Sequence, residues 1–331
     1  MDWSKGFSAS YYLTLVDPVT WRDTERIEIT GGSVSRTFSG LRQSADVDCT
    51  TFEPDRERWV RVWMDAVQDG DASHEALFTG LTSVSETTLN GSKTTIPLSC
   101  YSVLKPCEDV LLDKGYYVFR GESVRQTIGE LLSATPAPVV ISGTPPELMQ
   151  TIIAERGENH LSMVNKLLDA IGWRLRIDGD GTIRVGAWDN TPASTFGVWN
   201  DVIEPRVSLK ADWFKCPNVF RATSGDLTAI ARDDSRNSPL STVNRGREVW
   251  REDTNVKLTD EGLEQYAQRR LVELQAYAYS VKYTRRYDPA VNVSDVVRLH
   301  YPEQNLMNDY AVMRQDIRLG YGCPVSEEVQ R

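Results

Sequence analysis

The sequence predicts a β-rich α+β protein, with two β domains of barrel or sandwich type and a small α+β domain between them. Three observations carry this reading. The first hundred or so residues break into short runs rich in β-branched and aromatic residues, separated by Gly, Pro or Asp. The middle of the chain switches to the three-to-four-residue apolar spacing of helices, and the period-2 pattern returns from about residue 206. The changes of pattern place the boundaries at 1–115, 116–205 and 206–331.

In the first domain "YYLTLV", "RIEIT", "SVSRTFS", "ADVDCTTF" and "WVRVWM" each read as a strand. In the last of these Val60, Val62 and Met64 share one face, and Trp59, Arg61 and Trp63 share the other. "ALFTGLTSVSETTL" then runs into Asn90-Gly91, a strong two-residue hairpin signal, and "TTIPLSCYS" returns. Many short strands with frequent turns favour a sandwich or barrel.

The central domain reads as two helices and a hairpin. Ser123 and Gln126 have capping-box spacing, followed by an apolar face of Val124, Ile128, Leu131 and Leu132. "TPAPVVISGTPPE", with four prolines, reads as a loop. The second helix is expected to start after Asn159 and stop at Gly172, with Leu161, Val164, Leu168 and Ile171 on one face. Next comes "RLRIDGDGTIRV", whose two aspartates raise the question of a calcium loop. A loop beginning at Asp178 would need Asp or Asn where Thr182 stands and Gly where Ile183 stands, so the spacing fails. The two alternating runs, Leu175 and Ile177, then Ile183 and Val185, make a hairpin with the aspartates in its turn.

From 206 onward "VSLKADWF", "NVFRATS" and "LTAIARDD" read as strands, followed by an embedded helix near 259–278. Asp260 and Glu261 sit in its first turn, where the helix dipole favours negative charge, and its inner face is Leu263, Tyr266, Ala267, Leu271 and Leu274. "YSVKYTRRY", "DVVRLHY" and "YAVMRQDIRLG" resume the strands.

The composition excludes several classes of function. With 331 residues and a net charge of −10, the chain lacks the basic clusters that grip a phosphate backbone. No apolar run approaches membrane-span length, and the start lacks the pattern of a secretory signal, so assembly in a cytoplasm is expected. The five cysteines form no C-x-x-C pair and read as buried thiols. His74, His160 and His300 are scattered and read as structural. Neither H-E-x-x-H nor G-x-S-x-G occurs, and "NGSKTT" lacks the glycines and the strand-to-helix setting of a phosphate loop. The 47 acidic residues single out no glycosidase pair. No enzyme activity, cofactor or metal is therefore expected. The 9 Trp and 13 Tyr suit a protein of assemblies, although core packing accounts for most such residues.

The order of segments resembles the baseplate or tail-tip hub proteins of tailed bacteriophages. "ITGGSVSRTFSGLRQSADVDC" is similar to the paired early strands of the first hub domain, and "ALFTGLTSV" to its strand with a Thr-Gly break. "CYSVLKPCEDVLL" resembles the exit from that domain, and "GENHLSMVNKLLDAIGWRLRIDGDGTIRV" the central helix and hairpin. "DVVRLHYP" and "YAVMRQDIRLGYGCPVSEEV" resemble the closing strands, so the likeness spans nearly the whole chain.

The resemblance implies two tail-tube-like β-barrel or sandwich domains flanking the α+β unit. It implies a homotrimer that matches a six-fold tail tube to a three-fold tip and forms part of the DNA channel. Implied partners are the tail tube or distal tail protein, the tape-measure protein, and tip, spike or receptor-binding proteins. DNA would only pass through, and an acidic wall would not retain it. The implied location is the virion tail, assembled in the host cytoplasm, with peptidoglycan cleavage left to another subunit. Two alternatives are a carbohydrate-binding or glycan-cleaving β protein at the tip, and another tail component such as a distal tail protein.

Overall fold

A computed structural model describes residues 1–331 apart from 53–55, 84–87, 91–92, 149, 188, 198–203, 205, 212, 215, 255, 257–261, 277–278, 305 and 331. In chain order the elements begin with β1 (Ser8–Val16), β2 (Asp23–Thr37), β3 (Gln43–Cys49), β4 (Trp59–Gln68), β5 (Asp71–Thr82), β6 (Thr88–Asn90) and β7 (Lys93–Ser102). The middle holds α1 (Lys105–Asp109), β8 (Tyr117–Val118), α2 (Val124–Leu132), β9 (Val139–Ile141), β10 (Ile152–Ile153), α3 (His160–Ile171), β11 (Trp173–Ile177), β12 (Ile183–Ala187) and β13 (Pro192–Gly197). There follow β14 (Ser208–Ala211), β15 (Val219–Ser224), β16 (Leu227–Arg232), α4 (Thr242–Arg245), β17 (Trp250–Asp253) and α5 (Leu263–Ala276). The chain closes with β18 (Tyr279–Arg286), β19 (Val296–His300), β20 (Asp309–Arg318) and β21 (Pro324–Gln330). The fold is β-rich α+β, as the patterning predicts.

Two compact units result: Met1–Pro205 with Tyr283–Glu327, and Arg206–Lys282 with Glu328–Arg331. In the larger unit the pairing path β1-β4-β5-β7-β3-β2 returns to β1, because β1 pairs with both β4 and β2. Six strands thus close on themselves, leaving their apolar faces one place to go. Leu13, Val34, Val47, Val62, Met64 and Phe78 fill that interior. The path then continues from β2 to β20, pairing Val34 with Ile317, and on to β21. The closing strands 283–327 therefore lie in the same unit as the first domain. Strand β19 joins β20 on one side and β13, in parallel, on the other.

"RIEIT" and "SVSRTFS" are one strand, not two. Gly31 and Gly32 suggested a break, yet β2 runs through them with a bulge between Ile29 and Gly31. Gly32 has φ +147°, and a Cβ there would stand 2.3 Å from the Asp46 carbonyl oxygen. Glycine is needed for close approach to β3, which keeps the strand going. The expected Asn90-Gly91 turn falls at residues 91–92, outside the described residues; the pair that flanks it, Asn90 and Lys93, is in register.

The α+β layer belongs to the larger unit. Helix α3 starts where the Asn159 side chain accepts from the Ser162 amide at 2.8 Å and ends at Gly172, φ +67°. It buries the four predicted apolar residues together with Met163 and Leu167. Each such burial is worth about 1.5–3 kcal/mol. In α2 Ser123 caps the Gln126 amide, but the Gln126 side chain donates forward to Glu130 at 2.8 Å, so the capping box is half formed. The proline-rich stretch expected as loop contains β9, which pairs in parallel with β12 beside β11. Its Val139 and Ile141 pack against the second core.

In the smaller unit β15 lies between β16 and β17, and α5 packs on this sheet. Phe220, Ala222, Ala229 and Ala231 meet the buried Ala267 and Leu271 of the helix, with Leu263, Tyr266 and Leu274 at the edges. The predicted inner face is the one used. Asp260 and Glu261, expected in the first turn, lie outside the described residues.

Candidate functional site: the joint between hairpin and β layer

A linked set of polar contacts in the larger unit gathers around the turn of the β11–β12 hairpin. Two backbone bonds form the turn: the Asp178 amide donates to the Thr182 carbonyl at 2.9 Å, and the Gly181 amide to the Asp178 carbonyl at 3.0 Å. Its aspartates are engaged internally. Asp178 takes Arg176 at 3.3 Å and also Arg184, and an Asp180 carboxylate oxygen accepts the Thr182 amide at 2.9 Å. Among the described residues no group of three or more His, Cys, Asp or Glu could hold a metal ion.

The turn docks by its carbonyls. The Thr79 hydroxyl donates to the Gly179 carbonyl at 2.8 Å, while Arg61 and Trp21 donate to the Asp180 carbonyl at 3.0 and 3.1 Å. Arg61 also donates to the Thr79 hydroxyl at 2.9 Å and pairs with Asp23 at 3.0 Å. Asp23 in turn accepts from Thr14 at 2.9 Å, whose oxygen accepts from the Trp63 indole at 3.1 Å. The face of β4 predicted to carry Trp59, Arg61 and Trp63 is thus covered, and Arg61 is buried under the turn.

A second row of contacts fixes the hairpin base. Gln43 donates to the Ile177 carbonyl at 2.7 Å, and Arg42 donates to Asn165 of α3 at 3.0 Å. Arg176 bridges Asp178 and Asp295, the latter at 3.1 Å. Burial pushes the Asp295 carboxyl above the ordinary 3.8, and it lowers the Arg42 guanidinium to about 10.

The contacts of these groups join the hairpin to the β layer and to α3. His160 sits against the Leu131 carbonyl at 3.0 Å, and His300 lies half-buried in β19. His74 stacks on Trp63 with ring centres 4.0 Å apart and meets Asp65 at 2.6 Å on the surface. All five cysteines are buried and form no disulfide. The sequence reading saw the turn but missed its docking; the signal available was Arg61, a charge amid the β4 aromatics.

The sequence matches no protein-family model and no curated protein sequence. Solved structures do match. The 43 kDa tail protein of prophage MuSo2 from Shewanella oneidensis is similar with a TM-score of 0.73 at 16% identity, over 98% of this chain and 98% of that one. A tail protein from Neisseria meningitidis MC58 gives 0.71 at 14% identity, over 99% and 97%. Prophage tail protein gp18 from Listeria monocytogenes EGD-e gives 0.58 at 12% identity, over 97% and 94%. From end to end, then, this chain has the fold of the prophage tail proteins, the fold that its resemblance to the baseplate and tail hub family implied.

Proposed function

We propose that the protein is the structural hub of a phage-type tail baseplate: a homotrimer that joins a six-fold tail tube to a three-fold tip and forms part of the DNA channel. The observation that carries the reading is similarity of fold to a tail protein over 98% of both chains. In this reading 1–115 and 206–331 supply the tube-like β domains and 116–205 the unit between them. Their partners are the tail tube or distal tail protein, the tape-measure protein, and tip, spike or receptor-binding proteins. The chain acts in the virion tail after assembly in the host cytoplasm and catalyses nothing. The net charge of −10 suits a channel wall that releases DNA.

Light scattering on the purified chain over a range of concentrations tests the trimer. A mass of three chains supports the hub. A monomer at every concentration, with no trimer on adding the cognate tube protein, refutes it.

A further inference from the structure

The joint borders a half-open cavity of about 10 Å³, lined by Arg36, Arg42 and Gln43 of the β layer, by Ile177 at the hairpin base, and by Asn292 and Val293 before β19. Arg36 and Gln43 are cross-strand partners on β2 and β3, and each is 5% exposed. Most of their polar atoms are engaged. Arg36 donates to the Leu77 carbonyl at 2.7 Å and to Asn292 at 3.5 Å, and Gln43 donates to the Ile177 carbonyl at 2.7 Å. Three buried atoms of the wall have no hydrogen-bond partner among the described residues: Arg36 Nε, Arg42 Nε and Gln43 Oε1.

Their chemistry selects the occupant. Two are N–H donors and one is an acceptor that cannot donate. An anion would take the donors but face the Gln43 oxygen with like polarity, and a cation would face two guanidiniums. Turning the Gln43 amide over does not help, because it would set one carbonyl against that of Ile177. Water alone accepts twice and donates to the third atom. The cavity is also of the size that one water needs, and it offers the two to four polar partners that keep a buried water in place.

We propose that a single ordered water occupies this cavity, accepting from Arg36 Nε and Arg42 Nε and donating to Gln43 Oε1. It is a fixed component of the joint, linking three side chains of the β2–β3 hairpin, of which Gln43 holds the β11–β12 hairpin base and Arg36 the loop before β19. This holds whether or not the chain forms a hub.

The test is a crystal structure of the full chain at a resolution that shows ordered water, with a second crystal soaked in sodium bromide. The expected result is a water-sized peak within about 3.2 Å of Arg36 Nε, Arg42 Nε and Gln43 Oε1 in both crystals, with no bromide anomalous signal in the cavity. An anomalous peak there would make it a halide site and overturn the proposal. So would a cavity without density, or a direct bond from Arg36 Nε to Gln43 Oε1.

Discussion

Gly179 lies against Ala76 so closely that a Cβ on the glycine would stand 1.7 Å from the Ala76 carbonyl oxygen. The obstacle is backbone within β5, so no side-chain rotation relieves it. Gly179→Ala should therefore push the turn off the β layer and cost at least about 1–3 kcal/mol, the usual range for overpacking. Gly6→Ala, where nothing lies within 4 Å, is the control and should change stability by less than about 0.5 kcal/mol. Urea unfolding measures both, and equal effects would mean that the turn is free to move.

Arg61 serves three acceptors at once: Asp23, the Thr79 hydroxyl and the Asp180 carbonyl. Lysine offers one charged nitrogen where the guanidinium fork spans three directions. Arg61→Lys should lose about 1–3 kcal/mol by leaving buried acceptors unpaired. Hydrogen exchange should show faster amides in the 177–183 turn while the α3 amides keep their protection. Unchanged turn amides would count against the docking role.

Glu327 and Arg285 form a buried pair at 2.6 Å, and Gln315 donates to the same carboxylate oxygen at 2.7 Å. Glu327→Leu alone strands a buried cation and should cost about 3–5 kcal/mol. Adding Arg285→Met removes that cation, so the double variant should recover part of the loss. A double variant as unstable as the sum of the singles would mean that the two do not interact.

Asp295 gives a pH dependence of unusual sign. Its carboxyl titrates above 3.8 in the folded chain, chiefly because burial disfavours the charge. Above 3.8, and up to its folded value, the folded state therefore holds a proton that the unfolded state has released. In that window stability falls as pH rises, and above it the penalty is constant. Asp295→Asn lacks this term. The stability of the unaltered chain minus that of the variant should thus decline as pH rises from below 3.8 and then level off. A flat or rising difference in urea titrations across the window would contradict the assignment.

Calcium should leave the protein unchanged, because the carboxylates of the Asp178 and Asp180 turn are committed to arginines and a backbone amide. A site filled at a hundred times its dissociation constant would add about 2.7 kcal/mol. Millimolar calcium should shift the melting temperature by less than about 1 °C. A rise of several degrees, reversed by a chelator, would restore the metal reading.

Local chemistry was legible wherever one short stretch decides the outcome. Asn159 and Gly172 bound α3, the alternation of Leu175, Ile177, Ile183 and Val185 makes a hairpin, and the apolar stripe on α5 picks its buried face. Each of these follows from a repeat of about two or 3.6 residues, or from a cap that acts within one turn.

What meets what was not. That β2 runs through Gly31-Gly32, that β20 lies beside β2, and that the hairpin turn seats on Thr79 and Arg61 depend on pairs far apart in the chain, by as much as 281 residues for Ser35 and Asp316. Glycine illustrates the division. The sequence alone marked Gly181 as a turn residue, and its φ of +83° agrees, but Gly179 is glycine because Ala76 stands in the way. Composition and periodicity determine which segments become strands and helices, since those preferences act within a few residues. Only the tertiary structure decides which surfaces are covered, because burial and steric exclusion act between segments that the sequence does not place together.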